Sequence, residues 1–281
     1  MWNRVLHKSA LEGFEKYLRN DEKSTATIRK YCHDARMFLD YIKDLQVTKE
    51  VLIEYKQHLI GRKYSIRSIN SMLASLNSLF TYLGWMECRV KSLKTQRRIY
   101  CPEEKELSRQ EYIRLVEASR RKGNARLEMI LQTICGTGIR VSELEFITVE
   151  AVQRGEAVVA CKGKMRTVFI VKKLRKRLFA YARKRKIRKG SIFITRSGKT
   201  MDRSNIWREM KKLCTEAAVD PRKVFPHNLR HLFARTFYEM KKDIVKLSDI
   251  LGHGSIDTTR VYIISSGLEH QKMLESMRLI I

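Results

Sequence analysis

The stretch that decides the fold runs from residue 226 to residue 262: PHNLRHLFARTFYEMKKDIVKLSDILGHGSIDTTRVY. His227 and Arg230 lie three residues apart, which in a helix puts them on one face about one turn apart. Leu229, Leu232, Phe233 and Phe237 recur at helical spacing behind them and predict a buried side. A second helix, Ile244 to Leu251, is expected to end at Gly252, a residue suited to a left-handed cap. His253 follows on the turn, and Ser255 can N-cap a short helix whose end presents Tyr262. Two histidines, an arginine and a tyrosine thus hang from consecutive short helices. Taken singly, each has an ordinary packing or surface explanation.

Upstream, a helix from Ala125 to Cys135 runs into Gly136-Thr137-Gly138, and Arg140 follows directly before helix resumes at Val141-Ser142-Glu143-Leu144. An arginine at a glycine-broken junction can point into a site rather than into water, and Glu143, one turn on, can hold its guanidinium by a charge-assisted pair. Residues 157–171, AVVACKGKMRTVFIV, alternate as two strands around a tight Lys-Gly-Lys turn, so Lys162 and Lys164 ride a hairpin tip. A helix from Lys172 to Lys186 follows, apolar at Leu174, Leu178 and Phe179. Ile192 to Ile194 reads as a brief strand, and Asp202 can cap a helix carrying Ile206, Trp207, Met210 and Leu213. The whole unit starts cleanly at Ser108 and Glu111, a capping box with Leu107 placed to staple onto Tyr112.

The N-terminal third is helical throughout. One amphipathic helix spans 8 to about 19. A second follows Ser24 or Thr25, with Ile28, Cys32, Ala35, Phe38, Leu39 and Ile42 in register, a third runs from Thr48 to Leu59, and a fourth from Ser65 to Leu83. Short joins make this a compact four-helix domain. Its polar faces carry Arg29, Lys30, Arg36, Lys63 and Arg67. Residues 89–105 break the periodicity and carry Lys91, Lys94, Arg97 and Arg98, which reads as a basic linker. The fold class is therefore mainly α: a helical domain over 1–88, the linker, and an α+β domain over 106–281 with a small antiparallel sheet.

At 281 residues with 43% hydrophobic residues, the chain has length for two cores. Charge is the outlier: 58 Lys and Arg against 30 Asp and Glu give a net +28. Such an excess repels itself in a compact fold unless a polyanion neutralises it, and nucleic acid is the natural partner. The N-terminus lacks an apolar signal stretch and no run approaches a membrane span, so no membrane is expected and a cytoplasmic, nucleoid-associated protein is. The cysteines at 32, 88, 101, 135, 161 and 214 are scattered without a Cys-x-x-Cys pair and read as reduced thiols. No carboxylate pair of the kind that holds magnesium is evident, so neither metal nor cofactor is expected.

With the GTGIRVSEL stretch at 136–144, the 226–262 set resembles the tyrosine recombinase (phage integrase) family, closest to its small Xer-like members. The resemblance implies an N-terminal SAM-like core-binding domain and a C-terminal catalytic domain. It implies that Tyr262 attacks a phosphodiester of double-stranded DNA and holds the 3′ phosphate as an ester, while the 5′ hydroxyl leaves to attack a partner strand. Bond energy is kept in the phosphotyrosine, consistent with a chain that has no phosphate-cradling Gly-x-x-x-x-Gly-Lys loop. Arg140 and Arg230 match the family's arginine pair, whose guanidinium forks suit non-bridging oxygens. His227 fits the base that takes the phenol proton, His253 a phosphate contact, and Lys162 the acid for the leaving oxygen. The hairpin tip is one residue shorter than the family's usual form, which keeps Lys164 open as the acid.

The C-terminal tail is apolar at Leu268, Met273, Leu274, Met277 and Leu279 to Ile281, and it reads either as folding back on its own domain or, as the family implies, as exchanged between subunits to link a homotetramer on two DNA sites. Two other readings compete: relaxation of the type IB topoisomerase kind, and a DNA-binding protein that keeps the fold without catalysis. The full Arg, Lys, His, Arg, His and Tyr set argues against the last, because a pure binder has no use for the tyrosine.

Overall fold

The protein, seen as a computed structural model, is described over residues 4–43, 46–94, 106–161, 164–262 and 275–277, without the side chains of Cys161 and Lys164. It divides into two compact units, residues 1–97 and 98–281.

The first unit is built from α1 (Lys8–Asn20), α2 (Thr25–Ile42), α3 (Lys49–Gly61) and α4 (Ile66–Tyr82). Ser24, Thr48 and Ser65 each accept the backbone N–H three residues on, which fixes where α2, α3 and α4 begin. Phe14, Leu18, Phe38, Leu52, Tyr55, Leu73, Leu76 and Phe80 are wholly enclosed between the helices. Among the described residues one charge enters this core: Asp34, held by the Ser75 hydroxyl at 2.6 Å and by an ion pair with Lys30. After α4 the chain stays on the unit longer than the loss of periodicity suggested. Asn77 pairs with both the N–H and the carbonyl of Val90, and Asn70 does the same for Leu93. These asparagines, two turns apart on one helix face, hold residues 90–93 as an edge strand would be held. That is why the start of the expected linker is ordered on α4.

The second unit wraps α5 (Arg109–Arg121), α7 (Val149–Arg154), α8 (Lys172–Lys184), α9 (Arg203–Lys211), α10 (Cys214–Ala217), α11 (Pro226–Lys241), α12 (Ile244–Leu251) and α13 (Ile256–Arg260) around α6 (Ala125–Thr137). α6 is buried on nearly every side, with Leu127, Ile130, Leu131 and Ile134 fully enclosed. Its Glu128 is buried too, neutralised by Arg120 at 2.9 Å and Arg177 at 2.5 Å, so α5 and α8 are tied to it by charge. The Ser108–Glu111 capping box is formed. The antiparallel strands β1 (Glu156–Cys161) and β2 (Lys164–Phe169) pair from Glu156 opposite Phe169 to Cys161 opposite Lys164.

Three local expectations change. The strand expected at 192–194 is reduced to single bridges, Thr148 with Ser191 and Ile194 with Thr200, because the chain reverses through Thr195 to Lys199 before a ladder can extend. Phe179 is exposed, since Leu174, Leu178, Tyr181 and Ala182 already form the inward stripe of α8. Trp207 is also exposed and instead receives the Lys211 ammonium over its ring at 5.2 Å.

Candidate active site

Four segments converge on one guanidinium. Pro226 starts α11 at a position where its missing N–H costs nothing, and one turn later Arg230 enters the interior, only 1% exposed. It donates to the carbonyls of Gly138 and, at 2.8 Å, Leu251, and to His253 Nε2 at 2.9 Å. A buried arginine is tolerable only when most of its donors are occupied, and here the ends of α6 and α12 take both terminal nitrogens, while the buried Nε has no partner among the described residues. Both ends are turned outward by left-handed glycines, Gly138 at φ +66° and Gly252 at φ +64°. A Cβ at Gly138 would strike Phe233, and one at Gly252 would strike Arg166.

Tyr262, just past α13, is buried against three imidazoles. Its ring centroid lies 4.3 Å from that of His231, 5.4 Å from His253 in a stacked arrangement, and 5.5 Å from His227. Arg230 lies beside it, and the phenol helps keep that guanidinium charged. His253 is fixed at both nitrogens. Arginine can only donate, so Nε2 accepts from Arg230, and Nδ1 carries the proton toward Thr259 Oγ1 at 2.7 Å.

Arg140 sits at the start of a 3-10 helix, Val141–Phe146, where helix was expected to resume. Glu143 reaches back to accept the Arg140 backbone N–H at 2.9 Å and pairs with its guanidinium at 2.8 Å. The other side of this buried carboxylate is taken by Arg166 of β2 at 2.6 Å, and Arg166 also donates to the Ile250 carbonyl at 2.8 Å. Arg140 reaches the Gly252 carbonyl at 3.5 Å. One carboxylate therefore locks the hairpin, the Arg140 turn and the loop before His253 together.

The charges shape the titration of the site. Burial, then the charges of Arg230, Arg203 and Arg140, lower the His227 imidazole below its ordinary value. Burial with neighbouring cationic charge takes His253 down to about 4, and burial with His227 and Arg230 takes His231 to about 4. At neutral pH all three are neutral, the state in which an imidazole can accept a proton. Burial and Arg140 bring Arg230 down to about 10, still charged over the working range. Burial alone would raise Glu143, but the Arg140 backbone and guanidinium and Arg166 outweigh it and hold the carboxyl below its usual range.

Arg140, Glu143, His227, Arg230, His253 and Tyr262 are thus brought together. Lys162 lies outside the described residues, as does the side chain of Lys164, whose backbone opens β2. Arg29, Arg36, Lys63 and Arg67 are exposed on the first unit, and Lys91 and Lys94 are exposed beyond α4. Lys30 differs: it turns onto Asp34 and the Ser71 and Ser75 oxygens. Arg97 and Arg98 lie outside the described residues.

Two site residues escaped sequence reading. His231 had a usable signal, since it is four residues from His227 on the same face. Arg166 had none in its own strand, where it alternates like an outward polar residue; its signal was the glycine at 252, whose missing Cβ makes room for it.

The model of the phage integrase family matches residues 105–267, and that of its N-terminal SAM-like domain matches residues 11–87. The chain belongs to the phage integrase family. It is 30% identical to the tyrosine recombinase XerA of Thermococcus kodakarensis over 90% of this chain and 89% of the relative. With XerA of Pyrococcus furiosus it shares 29% identity over 99% of both chains. The solved XerA recombinase superposes at a TM-score of 0.55, with 25% identity over 97% of this integrase and 99% of that chain. A XerH site-specific recombinase bound to difH substrate gives 0.70, covering 95% and 84%, and at 21% identity it speaks to the fold. This integrase is a site-specific tyrosine recombinase, an enzyme that cleaves and rejoins DNA strands. Relaxation alone, or binding without catalysis, is not favoured.

Proposed function

We propose that Tyr262 is the nucleophile, that Arg140, Lys162, His227, Arg230 and His253 complete the catalytic set, and that Glu143 positions Arg140. The Tyr262 oxygen forms a bond to phosphorus, the bond from phosphorus to the 5′ oxygen breaks, the phenol proton passes to His227, and the leaving oxygen takes a proton from Lys162. Rejoining runs the same steps backwards with a 5′ hydroxyl from the partner strand. The two arginines hold the non-bridging oxygens, whose charge grows during attack, and a water-poor setting strengthens that hold. The carrying observation is the Tyr262 phenol, buried beside Arg230 and packed on neutral histidines. His227 is the member of the group most open to solvent, where an incoming phosphate can meet it. His253 spends its Nε2 lone pair on Arg230 and its Nδ1 proton on Thr259, so it donates to an arriving phosphate only once the Arg230 donor turns to the phosphate oxygens and the proton moves to Nε2.

The same reading makes residues 1–88 a core-binding domain, 89–105 a basic strap and 106–281 the catalytic domain. Arg29, Lys30, Arg36, Lys63, Arg67, Lys91, Lys94, Arg97 and Arg98 would contribute phosphate contacts to double-stranded DNA, with Lys30 the weakest because Asp34 already holds it. Related structures include a lambda integrase tetramer bound to a Holliday junction, which supports a homotetramer here, joined by C-terminal tails. No described helix is long and apolar enough to cross a membrane, and work on DNA suits a cytoplasmic, nucleoid-associated enzyme. The test is Tyr262→Phe. The variant should bind DNA within about 2-fold of wild type and form no SDS-resistant adduct; an adduct from the variant would remove Tyr262 from the role.

A further inference from the structure

Between Glu156 and Asp202 the chain has no carboxylate at all, and its middle, KKLRKRLFAYARKRKIRK at 172–189, is eleven Lys or Arg in eighteen residues. This segment forms α8 and the turn after it. Leu174, Leu178, Tyr181 and Ala182 face the core, so nearly all the cations face out, and Lys172, Lys176, Arg183 and Lys186 are exposed. Among the described residues the one ion pair of α8 is Arg177 with Glu128, on the inner side. Two shallow grooves flank the exposed Phe179 ring, one of about 580 Å³ lined by Lys172, Lys176 and Arg183.

The helix is built against its own stability. Lys172 and Lys173 occupy its first turn, where the macrodipole favours acids, and no acid or side-chain cap is present there. Like charges recur at helical spacing, Lys172 with Lys176 and Lys173 with Arg177, each pair unfavourable in isolation. α8 packs on α6 and α7, and α6 stands between it and α11, which carries His227 and Arg230. The catalytic constellation therefore gives no account of this charge.

We propose that the outer face of α8 is a second polyanion site, and that its occupant is a duplex segment other than the one being cleaved. A single sign of charge spread along a helix and its following turn matches a phosphate backbone. A protein partner of comparable area would be met by an apolar centre with polar rim, and here the exposed apolar residues, Phe179 with Val171 and Phe169 before the helix, form no such centre: the latter two lie at one end and cations surround Phe179. A recombinase already holding DNA also presents α8 with further duplex at high effective concentration. Binding relieves the repulsion within α8, so the helix stiffens as phosphates arrive.

The experiment counts duplexes per chain, using a 16-bp duplex of arbitrary sequence at about 50 mM salt, by analytical ultracentrifugation. Wild type should bind two duplexes in distinct affinity classes. The variant Lys172→Gln/Lys176→Gln/Arg183→Gln/Lys186→Gln should keep the tighter class and lose the weaker by at least 10-fold. Its thermal midpoint should be at or above that of wild type, which separates loss of site from loss of fold. A wild type that binds a single duplex overturns the proposal. So does a variant that loses the tighter class, since α8 would then belong to the principal DNA surface. Displacement of the second duplex by polyglutamate at lower charge concentration than by DNA would assign the face to an acidic polypeptide, equally against it. Lys172→Glu/Lys173→Glu gives an independent check: the thermal midpoint should rise while the weaker class disappears, and a fall in midpoint would contradict the stored repulsion.

Discussion

Glu143 is the residue on which the site's geometry turns. It is 1% exposed and compensated by two arginines and a backbone N–H. Removing one partner of a buried charge costs more than the pair is worth intact. Arg166→Ala should therefore lower stability by about 2 kcal/mol, read as a drop in the thermal midpoint of the catalytic unit. The histidines give a second prediction at this scale. Their folded values lie below the ordinary one, so the neutral, native arrangement is fully stabilised above about pH 6.5, and that contribution is lost as pH falls toward the value of about 4 at His231 and His253. Unfolding midpoints measured from pH 7 to 4.5 should fall for wild type and fall less for His231→Phe, which keeps the ring without the titration. For catalysis, His227 as base predicts that single-turnover cleavage declines on the acid side with a midpoint below 6.5; a midpoint above 7 would point to another base.

At the scale of elements, much was legible. The helix starts at Ser24, Thr48, Ser65, Ser108, Asp202 and Ser255 follow from side chains that cap, and the breaks at Gly138 and Gly252 from residues that tolerate positive φ. What escaped was contact between distant elements, because spacing along a chain carries no record of what a strand residue meets 84 positions later, as Arg166 meets Ile250. The same limit hid the asparagine clamp on residues 90–93. Arg166 ties the hairpin to the loop before His253, which separates two roles experimentally. Lys162→Ala should cleave ordinary DNA poorly and be rescued by a 5′-bridging phosphorothiolate, whose thiolate leaves without a proton. Lys164→Ala should show a milder, unrescued loss, and the reverse pattern would make Lys164 the acid. Gly252→Ala tests the strap from the other side: it combines a left-handed backbone, costing roughly 1–2 kcal/mol, with displacement of Arg166, and cleavage should suffer on both substrates.

For the whole molecule, the +28 charge sets the terms. If about ten phosphates are neutralised, log K should fall against log salt with a slope of about −9, and a slope shallower than about −3 would contradict use of both units on the duplex. The C-terminal tail expected to join protomers lies largely outside the described residues; Met277 within it is exposed. Truncation after Gly267 should abolish the tetramer on DNA as sized by gel filtration, whereas recombination at the wild-type rate without the tail would end the exchange idea.

The central claim is a covalent one, and it can be read directly. Covalent protein–DNA complexes trapped in cells, digested with protease and nuclease and mapped by mass spectrometry, should carry a nucleotide 3′ phosphate on the peptide containing Tyr262, with one DNA sequence recurring among the attached strands. A phosphate found on any other residue, or attached through its 5′ end, would contradict the account.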